Sequence, residues 1–176
     1  MNVALLLSLF TATVNLTAAA AHFAIARAPG RASSRTFALL ALTAALYSIG
    51  NIIGTEPSLP NWAYVLAARE NYLFAGLHIV LWYPWALGGP DARFSAMRRP
   101  WRMLCMAALI VVPFLSLTGL HLERGTFEVV VPWAHVTYHY VRTNLLGEAL
   151  GWLLFALLAI PYGSIVRRFL RGERVL

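Results

Sequence analysis

The side chains able to do chemistry in this chain are few, and most stand among apolar neighbours. Arg69, Glu70 and Asn71 are consecutive, with His78 two turns further on, inside the run NWAYVLAARENYLFAGLHIVLWYPWAL from Asn61 to Leu87. Most of that run belongs in lipid, where polar and ionisable groups are costly and by default suggest a functional site. Two more polar residues sit between glycines spaced i, i+4: Asn51 within Gly50–Gly54 and Glu148 within Gly147–Gly151. Glycines one turn apart let another backbone approach closely. Asn51, Arg69, Glu70, Asn71 and Glu148 are therefore the candidate ligand-binding residues, a polar layer able to hold a small molecule or an ion. The plain structural alternative is an Arg69–Glu148 ion pair, with Glu70 reaching back to water.

The five histidines offer two other chemistries. His121, His135 and His139 fall in one connection, and the last two have the i, i+4 spacing of a helical face. Neutral imidazoles so arranged can bind zinc or copper, although no cysteine or carboxylate-histidine motif completes the shell. His22 and His78 are candidates for a bis-histidine haem b site, which needs matched depth on facing helices. Their depths differ by roughly two helical turns. The alternative for all five is a packed or interfacial histidine bonded to water, backbone or a neighbouring hydroxyl.

The elements that must position these groups are apolar helices. The 176 residues are 60% hydrophobic and 12% charged, against about 25% charged in an ordinary soluble domain. Five apolar stretches, at about 2–26, 36–53, 61–87, 103–120 and 144–165, approach or reach the roughly 17–25 residues that cross a bilayer as helix. The expected fold is an all-α integral membrane protein, a single domain forming a five-helix bundle in the lipid bilayer.

Orientation follows from arginine. The chain carries 14 arginines and no lysine. Eleven fall in the connections after spans 1 and 3 and in the C-terminal tail, two (Arg124 and Arg142) in the long connection before span 5, and Arg69 lies within a span. Basic connections stay on the cytoplasmic side, which predicts the N-terminus outside and the C-terminus inside. Span 1 is expected to be retained, because no basic residue precedes its apolar core as a secretory signal requires. Read this way, the arginines report topology and imply no nucleic-acid partner. On the same reading Asn51, Arg69, Glu70 and Glu148 fall within a few ångströms of one another in depth, at about 1.5 Å rise per residue.

Within the long connection, Phe127–Trp133 is rich in β-branched and aromatic residues, which allows a short extended piece; a short interfacial helix after Pro132 is the alternative. Trp133, Tyr138 and Tyr140 suit an aromatic belt at the membrane surface. The single cysteine, Cys105, excludes an intramolecular disulfide and argues against disulfide-exchange chemistry. No P-loop, GxSxG, HExxH or paired-cysteine motif occurs.

Two stretches carry a family likeness: RTFALLALTAALYSIG from Arg35 to Gly50, and RENYLFAGLHIVLWYPWAL from Arg69 to Leu87. With the Val-Pro-Trp133 connection into span 5, the chain resembles the N-terminal seven-helix membrane sensor modules of bacterial histidine kinases and diguanylate cyclases. The resemblance implies a module of the bacterial cytoplasmic membrane that senses a cue within its bundle and passes it inward through the last helix, to a cytoplasmic signalling domain or partner protein. That family has no fixed catalytic residues in this module, so none carries over. The chain departs from the pattern in showing five spans, and no phosphoacceptor region or nucleotide-binding glycine motif follows Ile165.

The expected function is therefore non-enzymatic sensing. The competing expectations are a haem-binding subunit of a membrane redox complex and an accessory subunit or homodimer joined through the glycine faces.

Overall fold

A computed structural model describes residues 3–31, 33–88, 98–134 and 136–172. Five helices and one β-hairpin follow one another: α1 (Val3–Ile25), α2 (Ser33–Gly54), α3 (Asn61–Gly88), α4 (Arg99–Thr118), β1 (Leu122–Val131), a 3-10 turn (Pro132–Ala134), β2 (Val136–Thr143) and α5 (Leu145–Leu170). Four of the helices, α1, α2, α4 and α5, are long and apolar enough to cross a membrane. The longest, α3 at 28 residues, is not among them. It carries Arg69, Glu70 and Asn71, and it is the helix around which the others assemble.

α3 packs against α2, α4, α5 and both strands, whereas α1 packs chiefly on α2. Small side chains fill much of the buried surface of both helices: Ala38, Ala41 and Ala45 on α2, Ala63 and Ala67 on α3. On α3, Gly76 fits against α4, where an added Cβ would lie 2.6 Å from a Val112 methyl. At the end away from the hairpin, Ile79, Val80, Tyr83 and Cys105 form a buried cluster beneath Trp101, Leu154, Leu157, Leu158 and Ile160. Buried Cys105 is thus a small core residue at the α3–α4 contact.

Proline shapes α5. Pro161 lies inside the helix and has no N–H to give the carbonyl four residues back, at Leu157. The Tyr83 hydroxyl donates to that carbonyl at 2.9 Å. Freed carbonyls in a membrane helix are tolerated where a neighbouring helix supplies a donor.

The hairpin corrects the all-α expectation. β1 and β2 form an antiparallel pair in which Val131 faces Val136, Val129 faces Tyr138 and Phe127 faces Tyr140. The register breaks between Leu122 and Thr126, next to Gly125 at φ 122°. The composition explains the outcome: Phe127–Val131 and Val136–Val141 are largely β-branched and aromatic, and such side chains stack well across paired strands. Pairing also satisfies backbone donors and acceptors that a bare connection would leave to water. The interfacial-helix alternative after Pro132 reduces to one 3-10 turn.

Candidate functional site

Asn51 and Asn71 meet across the α2–α3 contact. The Asn71 amide nitrogen donates to Asn51 Oδ1 at 3.0 Å. Gly50 makes this possible, because a Cβ there would collide with the Asn71 side-chain amide. Gly54, the second glycine of the pair, lies against β2, with the His139 carbonyl 3.5 Å from where its Cβ would be. The first glycine face thus seats both a helix and the hairpin.

Arg69 does something else. Its Nη1 donates to the Leu117 carbonyl at 3.4 Å, and its guanidinium lies over Gly119, within 2.9 Å of a Cβ built there. Gly119 ends α4 in the left-handed conformation at φ 69°, its N–H returning to the Leu115 carbonyl. A cation beside the last carbonyls of a helix is favourable by charge and by hydrogen bonding. Arg69 therefore caps α4. Glu148 is exposed in the first turn of α5, and no ion pair joins it to Arg69 among the described residues. The expected polar layer thus divides: Asn51 and Asn71 come together, Arg69 turns to α4, Glu70 is half-buried and Glu148 points away. The second glycine pair divides too. A Cβ on Gly147 would collide with the His121 carbonyl, whereas Gly151 has open space beside it.

His121 takes the place that Glu148 was expected to fill. It is fully buried, held between the end of α4 and the start of α5. Its carbonyl accepts from the Asn144 backbone N–H at 3.2 Å. The Asn144 side chain also donates to the Leu120 carbonyl at 2.7 Å and caps Gly147 N–H of α5 at 3.0 Å. His121 Nδ1 lies 3.0 Å from the Leu115 carbonyl. A carbonyl only accepts, so Nδ1 carries the proton and the neutral ring presents a bare lone pair at Nε2. Burial holds the His121 pKa below its ordinary value; the Leu115 carbonyl works against this, and the Arg69 charge adds to it. The ring lies on Tyr72, with centroids 4.3 Å apart.

His121 and Tyr72, with Asn51 and Asn71, line a cavity of about 610 Å³ between α2, α3, α5 and β2. Asn71 Oδ1, Tyr72 Oη and His121 Nε2 all belong to its lining residues, are buried, and have no hydrogen-bond partner among the described residues. Buried polar atoms are nearly always paired, so three at one cavity mark a place where a ligand or water belongs. Tyr47, Ser8, Asn51, Ala75, Ile79 and Leu158 also line an adjoining cavity of about 520 Å³, which continues along α1 and α2 as far as His78. Both volumes are of the size that small ligands occupy. α1 and α5 form facing walls; α1 packs chiefly on α2 and α5 on α3, so the cleft opens between them. Its rim carries exposed Leu7 and Phe155.

His78 sits on the floor of the second cavity with both ring nitrogens engaged. Trp82 Nε1 donates to its Nε2 at 2.6 Å. Since indole N–H only donates, Nδ1 carries the proton, and it lies 3.1 Å from the Leu40 carbonyl and 3.0 Å from Thr43 Oγ1. A haem iron would need a lone pair that Trp82 already occupies. His22 is elsewhere, its ring tilted against Phe37 with centroids 4.3 Å apart.

His139 lies on β2, stacked on Tyr64 at 5.1 Å, with Nδ1 3.6 Å from a Glu128 carboxylate oxygen. The helical spacing with His135 does not apply to a strand, and His135 itself lies outside the described residues. Among the described residues no three His, Cys, Asp or Glu side chains converge as a metal shell.

The sequence pointed to His121 only as a metal-ligand candidate beside His135 and His139, and Tyr72 was passed over. Tyr72 follows Asn71 directly, but its ring stacks on a residue 49 positions later, and no periodicity links the two. Comparison with protein-family models, curated proteins and solved structures finds no match.

Proposed function

We propose that the chain is a sensory module of a bacterial cytoplasmic membrane, with five spans, the N-terminus and hairpin outside and the C-terminus inside. A small molecule reaching the cavity under the hairpin is the cue, and movement of α5 is the output. The observation that carries this reading is the group of three unpartnered buried atoms, Asn71 Oδ1, Tyr72 Oη and His121 Nε2, at one cavity.

The route to α5 is short. Leu154 and Leu158 line the cavity wall and also pack on the buried cluster that holds Tyr83. Tyr83 in turn binds the carbonyl that Pro161 leaves free. From the second cavity, His78 holds Trp82, whose ring lies 5.5 Å from Tyr162, next to that proline. An occupant that displaces these walls bears on the point where α5 is weakest. The resemblance to bacterial sensor modules and the distribution of arginine support the same assignment.

Orientation is tested by labelling intact cells with a membrane-impermeant maleimide, in a Cys105→Ala background. Trp133→Cys, on the exposed turn of the hairpin, reacts, and Leu170→Cys, near the end of α5, reacts only after the cells are opened. The reverse pattern puts the hairpin in the cytoplasm and ends the reading of an external cue.

A further inference from the structure

The chemistry of the cavity narrows its occupant. Asn71 gives its amide hydrogen to Asn51 and keeps a carbonyl oxygen free. His121 gives its Nδ1 hydrogen to Leu115 and keeps a lone pair free. Asn71 Oδ1 and His121 Nε2 are thus acceptors without a donor on two residues of the cavity lining, and the Tyr72 hydroxyl is able to donate or accept. None of the described residues lining the two cavities is Asp, Glu, Lys or Arg. A charged head would be desolvated there without a counter-charge, which is costly. The matching head is neutral and donates hydrogen bonds.

The second cavity supplies the rest of the ligand. From Asn71 to His78 the cleft follows α3 for about 10 Å, at about 1.5 Å per residue. Leu7, Ala44, Phe74 and Leu158 make much of its wall. A third cavity, of about 340 Å³, shares Ala44 and His78 with it and extends the path past Trp82. A polar head site that leads into a long, mostly apolar cleft, open between two lipid-facing helices, fits an amphiphile arriving from the bilayer.

We propose that the site binds an uncharged amphiphile whose head donates hydrogen bonds through hydroxyl groups to Asn71 Oδ1 and His121 Nε2, with its apolar tail along the cleft between α1 and α5. This rests on the sensory reading only in taking the cavity as a ligand site. A membrane hydroquinone and a glycerol ester both present such a head, and the test separates them.

The full chain is reconstituted in lipid nanodiscs, and saturable binding is measured for decylhydroquinone, monodecanoylglycerol and the dimethyl ether of decylhydroquinone, which has the tail and ring but no donor. At least one hydroxylated probe binds saturably, and the dimethyl ether binds at least about tenfold more weakly, a loss of one good hydrogen bond. Preference for the hydroquinone assigns a quinol, preference for the ester a glycerolipid, and either supports the class. His121→Phe removes one acceptor and weakens binding by a similar factor. Gly151→Leu provides the second variant: a Cβ on Gly151 meets nothing within 4 Å and the residue lines the cavity, so leucine there is expected to occupy the cavity and abolish binding.

Equal binding of the dimethyl ether, unchanged binding in Gly151→Leu, or no saturable binding of either hydroxylated probe overturns the proposal. These results leave the output reading to its own measurement, the displacement of α5 when the cavity is filled, which needs no added ligand.

Discussion

Tyr83 on α3 donates its hydroxyl hydrogen to the Leu157 carbonyl on α5, the acceptor that Pro161 leaves free. This one bond ties the central helix to the point where α5 lacks its own hydrogen bond, and it gives a sharp energetic expectation. Tyr83→Phe should destabilise the protein by about 1 kcal/mol, the scale of an interhelical hydrogen bond in membrane proteins. In a Pro161→Ala background the new N–H restores the bond within α5, so Tyr83→Phe should cost clearly less. A double-mutant cycle on unfolding in bicelles measures this. Equal costs in both backgrounds contradict the assignment.

How much of this was legible beforehand differs between the two partners. Pro161 was passed over in the sequence, although its consequence, a free carbonyl four residues back at Leu157, is local to the helix. Tyr83 did not announce itself as the donor, because the match depends on how α3 and α5 rotate against each other. The same division runs through the site. The helices were readable as apolar stretches, and Asn51 with Asn71 followed from the polar layer and the glycines at Gly50–Gly54. Glu148 was misplaced because depth along a helix fixes its height and leaves open which way the side chain faces. The hairpin was only half legible: the β-branched run before Trp133 was visible, but its partner strand looked equally compatible with an interfacial helix. His121 was hidden because its burial depends on Asn144 and the turn at Gly119.

Arg69 serves α4, and its contribution to stability should come chiefly from there. Arg69→Ala should lower stability by about 1 kcal/mol, the upper range for a cation at an exposed helix C-terminus. Glu148→Gln should change it by less than about 0.5 kcal/mol, as for an exposed side chain without a tertiary partner. The two should add within about 0.5 kcal/mol. Strong coupling between them would restore the ion pair that the geometry replaces.

The Asn51–Asn71 bond depends on the missing Cβ at Gly50. Gly50→Ala should destabilise, because the methyl meets the Asn71 amide. Combining it with Asn71→Ala should recover part of that loss by removing the obstacle. The single and double variants are compared by thermal unfolding in one detergent. If the double variant shows the sum of the two single losses, Gly50 is not there to make room for Asn71.

His121 sets a pH dependence. Its folded pKa lies below the ordinary 6.5 because it is buried, with the Arg69 charge adding to the effect against the opposing Leu115 carbonyl; the Tyr72 ring also faces it. As pH falls through about 6.5 the unfolded chain takes up a proton before the folded one. Stability is therefore full above that pH, falls below it, and levels off once the folded state is protonated too. In His121→Gln this part of the pH profile should flatten. Stability that rises on acidification through the same range, and loses that rise in the variant, would mean the buried ring is held as a cation.

Filling the cavity should move α5. Spin labels at Met103→Cys on α4 and Leu170→Cys on α5, both exposed positions, report the spacing at the end away from the hairpin, in a Cys105→Ala background. Gly151→Phe puts a ring into the cavity in place of a ligand. Gly163→Phe adds the same ring to α5 at another glycine with open space beside it. Distances measured in nanodiscs should shift with Gly151→Phe and stay unchanged with Gly163→Phe. Identical distance distributions for Gly151→Phe and the unsubstituted protein would contradict the claim that the cavity speaks to the last helix.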